Sequence, residues 1–435
     1  MDGAPRGGAV TAHERWLILA DDLTGAADAA IAFARRGVHT EVGWGECNAR
    51  DCSAAAVFAY DCDSRRLGAQ EAALRQLAVA TRLFERRPDS ALFKKIDSTL
   101  RGQPAAEIAA LCAVLRDTNK SVFGIFAPAN PSMGRTTRDG RVFVHGEPLE
   151  DSETWRREHS YPSADLAAIV ASAGLHAVKL PLAQLRAGEG AVRAALSAAA
   201  GTSPGATTIL VCDAETDDDL ACIAALARAT AMPDFFIGTA GLANALAQDV
   251  PRGTPQSVSL AASRHGALIV VGSLASASRT AARELAASAG VRHVLFTSRM
   301  LLADDARTRT NVALDIRIAL ERGTDVLVEM PLEEDPDLSA GPALVRSLAM
   351  CLSPAYPRMS GLIVTGGETA AALLRQCYVA RVRLVDEIEA GTALGVMVGE
   401  MNVPLITKPG AFGDSRSLIR SLERLRSIRK TGTLA

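Results

Sequence analysis

Leu17-Ile18-Leu19-Ala20-Asp21-Asp22-Leu23-Thr24-Gly25 sets how the rest of the chain is read. Four consecutive aliphatic residues suit a strand buried on both faces, and an acidic turn follows them. Ala26 to Arg36 then carries helical spacing and stops at Gly37, a residue that tolerates the left-handed backbone of a helix C-terminus. Strand, polar turn and helix make up the repeating unit of a parallel α/β sheet. The same grammar predicts strands near Thr40 to Val42, Ala56 to Ala59, Val122 to Phe126, Thr208 to Cys212 and Phe235 to Ile237, with helices over Gly68 to Phe84 and Gln103 to Leu115. Ala127 to Arg141 is rich in Pro and Gly, which exclude helix and central strand, and is predicted to be a long loop of the kind that is often functional.

Composition shifts between Gln248 and Arg264, where Pro251, Gly253, Pro255 and several serines interrupt the helical pattern. The second half then resumes with Ala267 to Val271 leading to Gly272-Ser273, Gly361 to Val364 leading to Thr365-Gly366-Gly367-Glu368-Thr369, and Pro404 to Ile406 leading to Thr407-Lys408-Pro409-Gly410. The expected architecture is two α/β domains with mostly parallel sheets and a cleft between them: residues 16–248, a linker at 249–264, and residues 265–430.

The chain has 435 residues, 48% of them apolar, and a formal net charge of -2, so it lacks the broad basic surface that nucleic-acid or membrane attraction needs. No apolar run is long enough to span a bilayer, and Met1 to Arg15 has no signal-like core, so a cytoplasmic protein is expected. The eight cysteines show no C-x-x-C spacing and read as reduced, mostly buried thiols. Gly201-Thr202-Ser203-Pro204-Gly205 spells a nucleophile elbow, but it follows a helix and precedes a strand, the reverse of the required order. Asp217-Asp218-Asp219 reads as the first turn of a helix. The chain contains no Walker loop, dinucleotide fingerprint or histidine metal spacing.

Ligands of open α/β sheets bind at the carboxyl ends of strands. Here those ends gather Asp21 and Asp22, then Asp61, Asp63, Ser64 and Arg65, then Lys94-Lys95-Ile96-Asp97-Ser98-Thr99-Leu100-Arg101-Gly102. Such clusters offer cations for an anion, and carboxylates and hydroxyls for a polyol. Asp21 to Gly25 could equally be no more than a helix cap. The strand ends of the second half are rich in Gly, Ser and Thr and suit phosphate held by backbone amides. An anionic polyol in one domain and a polyphosphate in the other suggest phosphoryl transfer.

In this order, the motifs Ile18-Leu19-Ala20-Asp21-Asp22-Leu23-Thr24-Gly25, Asp63-Ser64-Arg65, Lys94 to Gly102, Ala127 to Pro131, Gly238 to Ala243, Val271-Gly272-Ser273, Thr365 to Thr369 and Lys408 to Gly413 resemble the four-carbon acid sugar kinases across nearly the whole chain. The resemblance implies ATP-dependent phosphorylation of the terminal hydroxyl of a four-carbon sugar acid, with an N-terminal acid-sugar domain and a C-terminal nucleotide domain. It places the acid against Asp22, Arg65, Lys95, Asp97 and Ser98, to which the strand-end clusters add Asp21, Lys94 and Arg101 as expected contacts. It places ATP against Ser273, Gly366, Gly367, Glu368, Thr369 and Gly410, with Thr365 of the same turn also expected there; Ser273 or Ser276 stands in because Ala275 replaces a serine common in the family. The Lys408 to Gly413 loop resembles the aldonate kinases, which favours D-threonate over D-erythronate and the 3-oxo-tetronates.

Arg65 and Lys95 are expected to hold the substrate, with Asp97 or Asp22 accepting the proton of the attacking hydroxyl. Replacing Asp97 by Asn is expected to abolish turnover while leaving ATP binding nearly intact. Mg2+ is expected on the phosphates, with at most one carboxylate such as Glu368 and no metal site held by protein alone. A homodimer stays open, nucleic acid and membrane are not expected partners, and a noncatalytic two-domain sugar-acid sensor is the rival from another class.

Overall fold

A computed structural model describes residues 14–45, 54–117, 121–200, 207–230, 234–255, 257–288, 290–302, 306–331 and 340–434. The Gly201 to Gly205 stretch, the Met1 to His13 leader, Cys47 and Cys52 lie outside the described residues. The chain separates into two compact units, one formed by Met1–Asp21 with Cys62–Arg252 and the other by Asp22–Asp61 with Gly253–Ala435.

In the first unit six strands run parallel in the order His176–Leu180, Thr207–Cys212, Val122–Ala127, Phe235–Gly238, Ala91–Lys95, Trp16–Ala20. The five strands from Thr207–Cys212 to Trp16–Ala20 are buried at every residue, as continuous aliphatic runs require when helices cover both faces of a sheet. The helices Ala69–Phe84 and Pro104–Arg116 belong to this unit. Register matters most for function: Ala20 and Gly238 both lie opposite Lys95, so three strands end level with one another. The Ala127 to Arg141 segment differs from expectation. After a turn at Pro131–Met133 it forms a small antiparallel sheet from Arg135–Arg138, Arg141–Val144 and Glu147–Pro148, separate from the main one, so its prolines and glycines mark turns of a hairpin rather than a structureless loop.

The second unit carries Val291–Leu295, Asp325–Glu329, Leu268–Val271, Leu362–Thr365 and Pro404–Lys408 in parallel. The antiparallel strands Thr392–Gly399 and Val379–Glu389 come next, followed by Thr40–Trp44 and Val57–Asp61. Ile269, Ile363, Ile406, Leu285, Leu418 and Leu422 pack in its core, each such side chain stabilising the fold by about 1.5–3 kcal/mol. Residues 22–61, which fall within the N-terminal half in sequence, pack with this unit. The helix Leu23–Ala34 is buried at every residue, as an all-round apolar helix must be. Leu23, Ala27 and Val42 line a small cavity with Leu374, Val382 and Leu384.

Candidate functional site

The level strand ends of the first unit hold its polar cluster. The turn Cys62–Arg65 is tied to this edge by amides that donate to Ala20 O (Cys62, 2.8 Å) and Asp21 O (Ser64, 3.0 Å; Arg65, 3.2 Å). Arg65 then grips Asp21 in a bidentate pair, Nε donating to Oδ2 at 2.8 Å and Nη2 to Oδ1 at 2.9 Å. The same Nη2 lies 3.7 Å from Asp97 Oδ1. Asp97 is itself held by Arg101, through Nε (3.0 Å) and Nη2 (2.8 Å), and by the amide (3.1 Å) and hydroxyl of Thr99.

Burial opposes charge on Asp97, but Arg101 and then Arg65, with hydrogen bonds from Arg101 and Thr99, hold its carboxyl well below the usual carboxylate range. Asp21 is lowered in the same way: burial is outweighed by Arg65, then by Lys94 and Lys95. Arg135, from the hairpin, feels the fields of Asp97 and Arg101, and burial lowers it. A cluster of guanidinium groups with both aspartates ionised is arranged to receive an anion.

Successive residues of a strand point to opposite faces, and Lys94 and Lys95 part accordingly. Lys94 is fully buried, with Nζ 2.8 Å from Glu107 Oε2 and 3.4 Å from Gln76 Oε1. Glu107 and then Asp21 overcome the burial cost and hold the Lys94 ammonium above its ordinary value. Lys94 therefore serves an internal ion pair, and the expectation that it touches the acid is corrected. Lys95 Nζ donates to Ile96 O at 2.9 Å. Ser98 is half-buried.

In the second unit Val271 lies opposite Thr365 and Thr365 opposite Lys408, so three loops leave the sheet side by side. Their approach is close. A Cβ on Gly410 would fall 1.9 Å from Ser273 Oγ, one on Gly272 2.0 Å from Thr369 Oγ1, and one on Gly366 3.6 Å from Ser273 Cβ. Gly366 also adopts φ 90, ψ 129, which side chains disfavour, and no side chain caps the helix Gly367–Gln376 that follows. The result is a backbone-lined concavity at a helix start, suited to phosphate.

Asp22 joins this second set. Its Oδ1 accepts from Gly25 N (2.9 Å) and its Oδ2 from Thr24 Oγ1 (2.8 Å), the helix cap foreseen as an alternative. The same Oδ2 lies only 2.5 Å from where a Cβ on Gly367 would stand.

Ser273, Gly366, Gly367, Thr369 and Gly410 are thus brought together. Thr365 is fully buried and offers no hydroxyl outward. Glu368 and Ser276 are exposed in the first turns of their helices. A second serine, the fully buried Ser278, also reaches Gly410, its Oγ donating to Gly410 O at 2.7 Å. Sequence reasoning passed over Ser278 and Glu107; a lone charge on the apolar face of Pro104–Arg116 was the available signal for the latter.

Residues 16–246 match the family model of a sugar-binding N-terminal domain, and residues 268–418 that of a nucleotide-binding C-terminal domain. The chain is similar to the D-threonate kinase of Cupriavidus necator, 40% identical over 411 residues that span 93% of this chain and 96% of that one. It is similar to the 3-oxo-tetronate kinase of Methylobacterium radiotolerans at 28% identity, covering 94% and 98% of the two chains. A crystal structure from Salmonella typhimurium LT2, 21% identical, shares the fold with a TM-score of 0.76 over 94% of this chain and 98% of that one.

Proposed function

The chain belongs to the four-carbon acid sugar kinase family, and from that membership we propose that it transfers the γ-phosphoryl group of ATP to the 4-hydroxyl of D-threonate. The observation that carries the reading is the charge arrangement of the first unit: Arg65, Arg101 and Lys95 at one strand edge, with two ionised aspartates fixing the guanidinium planes. A short carboxylate with adjoining hydroxyls meets such a set bidentately. The half-buried Ser98 hydroxyl adds a partner for the polyol.

The glycine-lined loops around Ser273 receive the phosphates, and positioning with charge neutralisation does most of the work in phosphoryl transfer. A magnesium ion accompanying the nucleotide would neutralise phosphate charge, and the exposed Glu368, in the first turn of the helix Gly367–Gln376, is the carboxylate that would help hold it. Among the described residues no group of three or more His, Cys, Asp or Glu is placed to hold an ion alone. Asp22 and Asp97 are the two carboxylates considered for the proton. Asp97 is saturated by Arg101 and Thr99, and a carboxylate held so far down binds a proton weakly.

An ATP-consumption assay over D-threonate, L-threonate, D-erythronate and the 3-oxo-tetronates tests the reading. D-threonate is expected to give the highest kcat/KM. Preference for a 3-oxo acid would overturn the substrate, and inertness toward all of them would overturn the activity.

A further inference from the structure

Lys408 ends the strand Pro404–Lys408 and is fully buried. Its Nζ lies 3.5 Å from Ser278 Oγ and 3.4 Å from Pro409 O. Ser278 spends its single hydroxyl proton on Gly410 O at 2.7 Å, so it accepts from the lysine. Two consecutive carbonyls, Pro409 and Gly410, are therefore turned toward Lys408, one directly and one through Ser278, the Pro409 oxygen also accepting from Phe412 N at 3.2 Å. In a trans peptide the N–H points opposite to the carbonyl. The amides of Gly410 and Ala411 must face the other way, and among the described residues neither donates to an acceptor. Adjacent open N–H groups of this kind form an anion-binding concavity.

The surroundings of the ammonium are polar and incompletely bonded. A Cβ on Gly413 would stand 2.7 Å from Glu389 Oε1, 2.9 Å from Lys408 Cε and 2.9 Å from Ser417 Cβ. Glu389 Oε1 and Ser417 Oγ are both buried without a hydrogen-bond partner among the described residues. Glu389 Oε2 is taken by Arg420, which also holds Asp414.

We infer that Lys408, acting through Ser278, is the positioning residue that turns the Gly410 and Ala411 amides outward to receive a nucleotide phosphate; this rests on the nucleotide reading of the second unit. Burial pushes the lysine down to about 8, partly offset by Glu389 and Asp414, the carboxylates facing it, with Arg420 the remaining charge on that side. The ammonium is therefore present below that pH and lost above it.

The test compares ADP binding by calorimetry and steady-state kinetics for wild type, Lys408→Met and Ser278→Ala. Both variants are expected to weaken ADP binding about ten-fold or more, as loss of a charge-assisted contact does, while KM for the acid stays within about two-fold. Wild type should show a KM for ATP that climbs above about pH 8, and Lys408→Met should lose that limb. A folded Lys408→Met that binds ADP as wild type does, or that keeps the alkaline limb, overturns the inference. If Lys408→Met fails to fold, Ser278→Ala decides by the same binding measurement. A wild-type protein that does not bind ADP at all overturns the nucleotide reading itself.

Discussion

Asp97 accepts hydrogen bonds on both oxygens, with Arg65 3.7 Å away, so its chemistry is that of an anchor for guanidinium groups. Its folded value lies below the unfolded one. The stability it contributes is therefore complete above the ordinary carboxylate range, near pH 4, and disappears as pH falls through the lowered value. Asp97→Asn should be less stable than wild type near neutrality, and the gap should close below about pH 4 in urea-midpoint measurements. A gap that stays constant with pH would mean that ion pairing is not its source. The same variant should lose about a hundred-fold or more in kcat/KM for the acid while still binding ADP. Asp21, Arg65 and Asp97 could be picked out in sequence because charges at strand ends have no packing purpose. Lys94 could not be separated from Lys95, because only the fold brings Glu107 under one of them.

At the scale of elements, runs of aliphatic residues revealed the parallel strands, whereas the first helix covers Leu23–Ala34 and ends three residues before Gly37, which takes φ 78 in the turn that follows. The antiparallel pair Val379–Glu389 and Thr392–Gly399 was passed over. Its first strand alternates Arg381 and Arg383 with Val382 and Leu384, the mark of a half-buried strand, and Arg381 Nε lies 3.0 Å from Glu41 Oε2 on a strand far away in sequence. The start of the helix Gly367–Gln376 gives a sharp test. A methyl at position 367 would press on Asp22 Oδ2 and on Thr24 Oγ1, 2.9 Å from the Cβ position, and so would disturb the cap of the helix Leu23–Ala34. Gly367→Ala is expected to cost about 1 kcal/mol, the worth of such a cap, and to weaken ADP binding. Unchanged melting and unchanged binding would show that the two loops yield freely.

For the whole molecule, the instructive segment is Asp22–Asp61, which packs with Gly253–Ala435. Composition exposed the change near Gln248, but nothing local to residues 22–61 shows that Thr40–Trp44 will pair with Val379–Glu389. A fragment of Gly253–Ala435 alone should fail to fold, since it lacks the central helix Leu23–Ala34 and leaves Val379–Glu389 as an uncovered edge. Circular dichroism and limited proteolysis would check this; a cooperative melt from the fragment would refute it. A ribosome therefore releases residues 22–61 roughly three hundred residues before the partner strand at Val379–Glu389 exists. During that interval Thr40–Trp44 has a partner on one edge only, Val57–Asp61, and the nascent polypeptide must shelter the other edge together with an oily helix. Premature stop codons in its second half should yield insoluble products rather than half-working enzymes.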